Sequence, residues 1–152
     1  MTPDTHRELT LPATPESASR AREEVRTWLG ETHPAYEQTR LAVSELVTNA
    51  IRHPRHDPSL TVTLRLIPTK DHLRIEVTDH GRSTAATPAL HPHDSSTLRE
   101  GGRGLLIVDL LSQGRWDTHP NPDGPGRTVW CEIPDGSSSR RGRGACAVAP
   151  NP

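Results

Sequence analysis

Glu45 and Asn49 stand four residues apart in the segment LAVSELVTNAIRH. A helix there puts a carboxylate and a carboxamide one turn apart on one face, with Arg52 close to both by helical angle. An amide oxygen can ligate Mg²⁺, which keeps several waters and takes few protein ligands besides phosphate oxygens. The neighbouring carboxylate can position or deprotonate a nucleophile. Together they suit a hydrated metal–phosphate group. Taken alone, the same three residues also describe an ordinary solvated helix face with an N-terminal acid and a C-terminal base.

Two later segments give the pair its meaning. Leu73–Val77 alternates as a strand and runs into Thr78-Asp79-His80-Gly81. An Asp at a strand end can accept from the exocyclic amine of a base, and a Gly two residues on lets the ring approach. Then Glu100-Gly101-Gly102-Arg103-Gly104-Leu105-Leu106-Ile107 places a glycine-rich loop at the start of an apolar helix. Free N–H groups at such a helix start favour phosphate. The P-loop route to phosphate is excluded: the single lysine, Lys70, precedes Asp71, and no G-x-x-x-x-G-K-[ST] run exists.

The elements that must position these residues follow from periodicity. Arg7–Leu11 alternates as a first strand. Thr14-Pro15-Glu16 is a helix start, with Thr14 as N-cap, and Ala18, Ala21, Val25 and Leu29 form its stripe up to Gly30. A second helix follows Pro34 and runs to about His53, with Val43, Leu46, Val47, Ala50 and Ile51 facing a core. Leu60, Val62, Leu64 and Leu66 alternate with Thr61, Thr63 and Arg65, and Leu73–Val77 repeats the pattern after the Pro68–Asp71 turn, so the two form a hairpin. The stretch 81–101 has no periodicity. A loop of that length is usually functional or mobile, and its part 82–100 is expected to move without ligand. Residues 104–111 form a short helix, and a last hairpin joins Arg115–Asp117 to Arg127–Ile133.

Composition narrows the classes. The 152 residues carry a net charge of −1, with 31% hydrophobic residues, 11 Gly and 15 Pro. One domain is expected over residues 1–134. The segment DGSSSRRGRGACAVAPNP, residues 135–152, has no core-forming pattern and is expected to be a disordered tail with a net charge of +2. Balanced charge leaves no field for direct nucleic-acid binding. No apolar run approaches the ~18 residues of a membrane span, so no membrane contact and a cytoplasmic location are expected. Cys131 and Cys146 make no disulfide or zinc framework. His53 and His56 are separated by Pro54 and cannot share a helix face, and nothing fixes the geometry of His91 and His93. Trp28, Trp116 and Trp130 are read as packing residues, with Trp116 also placed where it could face a partner.

The ordered set of motifs resembles the GHKL ATPase superfamily, which includes gyrase, heat-shock chaperone, histidine kinase and mismatch-repair ATPases. Within it the chain is similar to the anti-sigma factor serine/threonine kinases of bacteria. SELVTNAIRH resembles their N box, EVTDHGR their first glycine box, GGRGLLIVDLLS their second, and GRTVWCEI their closing strand. The resemblance covers about residues 7 to 133. It implies an α/β two-layer sandwich, with helices on one face of a mixed, mainly antiparallel sheet (the Bergerat-type ATP-binding fold). It implies ATP held between helix and lid, with Mg²⁺ on the N box.

Carried over by position, Glu45 is the catalytic acid/base and Asn49 the Mg²⁺ ligand. Asp79 binds the adenine amine above Gly81. Gly102 and Gly104 shape the phosphate loop, with Leu105 beside them at the nucleotide, and Thr128 supports the adenine contact through its hydroxyl. Arg52 and Arg103 are added from geometry as phosphate contacts. One departure is plain: the family's first glycine box often has a second Gly, whereas Arg82-Ser83 follows Gly81 here. The expected partners are a sigma factor and an anti-anti-sigma (STAS-type) protein, and because related kinases often dimerise, a homodimer is among the expected states. Two other readings compete with the kinase: a sigma-sequestering or regulatory module that holds ATP and transfers nothing, and a detached histidine-kinase catalytic domain, which the short chain and closing TVW strand fit less well.

Overall fold

In the computed structural model, which describes residues 6–51, 59–80, 104–122 and 124–137, alternation decides which way the sheet faces. Val62, Leu64 and Leu66 of β2 (Thr61–Pro68) and Leu73, Ile75 and Val77 of β3 (His72–Asp79) all lie on one side, none more than 4% exposed. β1 (Arg7–Pro12) pairs with β2, β2 with β3, β3 with β5 (Arg127–Pro134), and β5 with β4 (Trp116–Pro120). The order is β1-β2-β3-β5-β4, and every pairing is antiparallel. The mainly antiparallel sandwich is therefore present, with no parallel pair among the described strands.

Three helices cover the apolar face: α1 (Glu16–Leu29), α2 (Tyr36–Ile51) and α3 (Gly104–Ser112). α1 lies against β1 and α2, α2 over β2, β3 and β5, and α3 over β5, β4 and α2. The stripe expected on α2 is in place: Val43, Leu46 and Val47 are buried, and Ala50 and Ile51 pack against the same core.

Helix ends explain how the chain turns between layers. The start of α1 differs from expectation by one residue. Pro15 stands at the boundary, and Thr14 Oγ1 reaches the hydroxyl of Ser17 at 3.4 Å instead of capping a backbone N–H. Gly30 ends α1 with φ +79°, its N–H donating to the Arg26 carbonyl at 2.9 Å. The ring of His33 caps α2, with Nδ1 accepting from the Ala35 N–H at 3.0 Å. After α3, Gly114 has φ +79° and donates to the Asp109 carbonyl at 3.0 Å, while the Trp116 indole N–H donates to Asp109 Oδ1 at 2.8 Å. Trp116 is thereby tied into the core.

The opposite sheet face carries no helix among the described residues and is laced with charge. Glu8 pairs with Arg65 at 2.6 Å, which holds the Glu8 carboxyl below its ordinary range. Arg74 reaches Glu76 at 2.8 Å and Glu132 at 3.5 Å, and stacks 4.0 Å above the Trp130 ring. Trp130 therefore packs as a half-buried platform on this face. Cys131 alternates with it into the core, and burial pushes its thiol up to about 12.

The first residues of the segment expected to be a tail are held to the body. The Asp135 N–H donates to the Asp71 carbonyl at 3.0 Å, and the Ser137 N–H donates to Asp135 Oδ1 at 2.7 Å. Residues 138–152 lie outside the described residues, as does the loop expected over 82–100.

One buried polar atom is unsatisfied among the described residues: Thr39 Oγ1, on the core side of α2 and 0% exposed. Valine has the same shape without the hydroxyl, and leaving a buried hydroxyl unpaired costs about 1–3 kcal/mol. Thr39→Val is expected to raise the urea midpoint by the equivalent of about 1 kcal/mol at an unchanged slope.

Candidate functional site

Because the α2 stripe is committed to the sheet, Glu45 and Asn49 fall on its flank, half-buried and one turn apart. The neighbouring Ser44 accepts from an Arg22 guanidinium N–H at 2.9 Å, which ties this part of α2 to α1. The Glu45 flank meets the first residue of α3. A Cβ placed on Gly104 would lie 2.7 Å from Glu45 Oε2, so the carboxylate occupies the space that a side chain at 104 would take. Gly104 has no unusual φ, and its role is this close approach. The first turn of a helix carries unpaired N–H groups and the positive end of the dipole. The Glu45 carboxylate thus lies beside backbone donors suited to phosphate, with the Asn49 carboxamide one helical turn further along α2.

Asp79 closes β3 on the same side of the sheet as Val77, Ile75 and Leu73, which places it on the helix-covered face. Its strand end is pinned from one side by β2: the His80 N–H donates to the Thr61 carbonyl at 3.2 Å, and the His80 ring Nε2 lies 3.0 Å from Thr63 Oγ1. From the other side comes the turn between β4 and β5. A Cβ on Gly126 would fall 1.8 Å from the Asp79 carbonyl oxygen and 3.0 Å from Oδ1.

Thr128 is a correction. It pairs with Thr78, and the two hydroxyls lie 2.8 Å apart. Thr78 belongs to the opposite parity from Asp79, so the Thr128 hydroxyl is turned to the helix-free face and away from the Asp79 carboxylate. The residue at that end of β5 with the parity of Val129, Cys131 and Ile133 is Arg127, half-buried, its Nε donating to Thr118 Oγ1 at 3.2 Å. Leu105 is 3% exposed and points into the core, so it has only its backbone N–H to offer a ligand. Arg52, Gly81, Gly102 and Arg103 lie outside the described residues.

Sequence reasoning missed Gly126 and Arg127. Pro125-Gly126 marks a turn, but only the fold shows that the turn abuts Asp79. Arg127 was within reach of a parity count back from Val129.

The residues present fit an Mg²⁺–phosphate group. Asn49 supplies an amide oxygen and Glu45 a carboxylate beside the α3 start, a sparse oxygen set of the kind Mg²⁺ takes when phosphate and water complete its shell. Among the described residues no three His, Cys, Asp or Glu side chains come together as a cation cage. No described helix is long and apolar enough to cross a membrane.

Comparison with known proteins bears on the fold and the family. Residues 11–132 match the model of the histidine kinase-like ATPase domain. The serine-protein kinase RsbW of Oceanobacillus iheyensis is 32% identical over 115 residues, covering 68% of this chain and 73% of that protein. RsbW of Bacillus subtilis is 31% identical over 115 residues, covering 68% and 72%. Among solved structures, the RsbU and RsbW domains of Rv1364c from Mycobacterium tuberculosis superpose with a TM-score of 0.55 at 21% identity, over 87% of this chain and 33% of that one. The histidine kinase domain of the blue-light activated kinase from Erythrobacter litoralis superposes with a TM-score of 0.51 at 22% identity, over 86% and 64%. These two share the fold. With the family model matched over residues 11–132, and a sheet of this order under three helices, the chain belongs to the histidine kinase-like ATPase family, among relatives of the RsbW serine-protein kinase type.

Proposed function

We propose that the protein binds Mg·ATP on the helix-covered face between α2, the end of β3 and the start of α3, and transfers the γ-phosphoryl group to a serine or threonine hydroxyl. The acceptor is an anti-anti-sigma protein of STAS type, and the second partner is a sigma factor. The observation that carries this reading is the Glu45 carboxylate lying against Gly104 at the N-terminus of α3. That contact puts a proton acceptor beside the backbone donors that would hold phosphate. The similarity to RsbW serine-protein kinases supports the same reading.

The chemistry divides among few groups. Asp79 accepts from the adenine amine and fixes the base. Backbone N–H groups at the start of α3 receive phosphate oxygens. Asn49 would hold Mg²⁺, whose charge neutralises the phosphates. Glu45 orients the partner hydroxyl and takes its proton as the oxygen attacks the γ-phosphorus. The bond between that phosphorus and the β–γ bridging oxygen breaks, and ADP leaves. Phosphoryl transfer rests mainly on such positioning and charge stabilisation.

Glu45→Ala is expected to lower radiolabelled transfer to a STAS-type partner by roughly 10²-fold or more while ATP affinity stays near wild type. Asn49→Ala is expected to weaken ATP binding in Mg²⁺ by roughly tenfold, with little effect in EDTA. Sigma binding without any labelled partner, unchanged in Glu45→Ala, would instead establish the sequestering module.

Gly104→Ala separates position from presence. The new methyl meets only the mobile end of Glu45, so the fold and melting temperature are expected to hold. Displacing the carboxylate by something near 1 Å is expected to slow transfer by roughly 10- to 100-fold, with ATP affinity within about threefold of wild type. Unchanged transfer in the folded variant would contradict this role for Glu45.

A further inference from the structure

Among the described glycines of positive φ, Gly126 is the one whose added Cβ would strike backbone; at Gly136, φ +85°, it would meet only the Pro34 ring, at 2.7 Å. Gly30 and Gly114 also have positive φ, both +79°, yet a Cβ on either would find nothing within 4 Å, so their glycines serve the turn alone. Gly126 has φ +104°, and a Cβ there would strike the Asp79 backbone: 1.8 Å to the carbonyl oxygen, 2.8 Å to the carbonyl carbon, and 3.0 Å to Oδ1. Backbone cannot swing aside as the end of a flexible side chain can.

Neither side of this contact has slack. The turn is closed by the Asn121 N–H donating to the Gly126 carbonyl at 3.0 Å and by Asn121 Nδ2 donating to the Pro125 carbonyl at 3.4 Å. Beyond Asp79, β2 holds the strand end through the two His80 contacts with Thr61 and Thr63. The last peptide of β3 is thus wedged between β2 and the β4–β5 turn, and an atom added at 126 must move Asp79.

Resting on the reading of this face as a nucleotide site, we propose that Gly126 is a positioning residue for base selectivity. It lets the β4–β5 turn lie against Asp79 and so fixes the carboxylate where it accepts from the adenine 6-amino group. Guanine carries a carbonyl at that place, so a fixed carboxylate rejects it through facing acceptors. A displaced carboxylate loses both the attraction to adenine and the rejection of guanine. Discrimination that depends on a hydrogen bond to a substrate group is steep for this reason.

The test is calorimetric titration of the full chain with Mg·ATP and Mg·GTP, in wild type, Gly126→Ala, Asp79→Asn, the double variant, and Gly124→Ala. Gly124 lies in the same turn with nothing within 4 Å of an added Cβ. The expected result is a fall of about tenfold or more in the ATP/GTP affinity ratio for Gly126→Ala and a change within about twofold for Gly124→Ala. The double variant is expected to match Asp79→Asn alone, because one residue acts through the other. A folded Gly126→Ala with the wild-type ratio, or losses that multiply in the double variant, would overturn the proposal. If Gly126→Ala does not fold, Asn121→Ala loosens the turn without adding an atom beside Asp79. A drop of about threefold in the ratio then supports the proposal and an unchanged ratio overturns it. Wild type that binds neither nucleotide would overturn the reading of the site itself.

Discussion

The burial of α2 on the centre of the sheet is the interaction from which the site's geometry follows. Thr39, Ala42, Val43, Leu46 and Val47 are fully or almost fully buried in a helix that packs on β2, β3 and β5 and against α1 and α3. Rotating or sliding α2 would take several of these residues out of the core, each worth about 1.5–3 kcal/mol for a Val or Leu side chain. With the stripe committed, a helix of 3.6 residues per turn leaves Glu45 and Asn49 no freedom of direction. They face the flank on which α3 packs, and α3 presents a glycine there. The short α3 is held in turn by Leu105 and Val108 in the core and by the Asp109–Trp116 hydrogen bond at its far end.

The second constraint is parity at the sheet's end. The side chains that close the apolar face are followed, on the same side, by Asp79 on β3 and Arg127 on β5. The other side continues a row of threonines, with Thr10, Thr63, Thr78 and Thr128 opposite one another across β1, β2, β3 and β5. That row and the ion pairs around Arg74 form a face whose polar groups satisfy one another. Its salt bridges are mostly half-exposed and contribute little singly. Among the described residues no helix covers this face, whereas Glu45 and Asp79 lie on the covered side.

Most of this was legible in the sequence for a definite reason. Strand alternation in 62–66 and 73–77, the stripe on α2, and Gly30 as a helix end are local signals, and each is expressed in the fold where it was expected, with Leu60 just outside β2. Glu45 and Asn49 could be paired because helical spacing is local too. Contacts made by backbone between distant segments left no such trace. Nothing near Gly126 in the chain announces Asp79, 47 positions earlier, because the relation is set by where two strands stop. Thr128 was misplaced because the motif was carried over without counting sides from Val129. Trp130, read as a packing residue, does pack, but its parity puts that contact under Arg74 on the open face.

The central claim is that Mg²⁺ and the phosphates meet where the flank of α2 faces the start of α3. Paramagnetic relaxation by Mn·ATP, read in amide spectra of the ¹⁵N-labelled chain, tests it most directly, since broadening falls steeply with distance from the ion. The account predicts that the Asn49 side-chain amide and the backbone amides of Gly104 and Leu105 disappear first, with the open-face amides of β1 unaffected and Asn49→Ala abolishing the pattern. Broadening centred on the helix-free face, or none at saturating Mn·ATP, would contradict it.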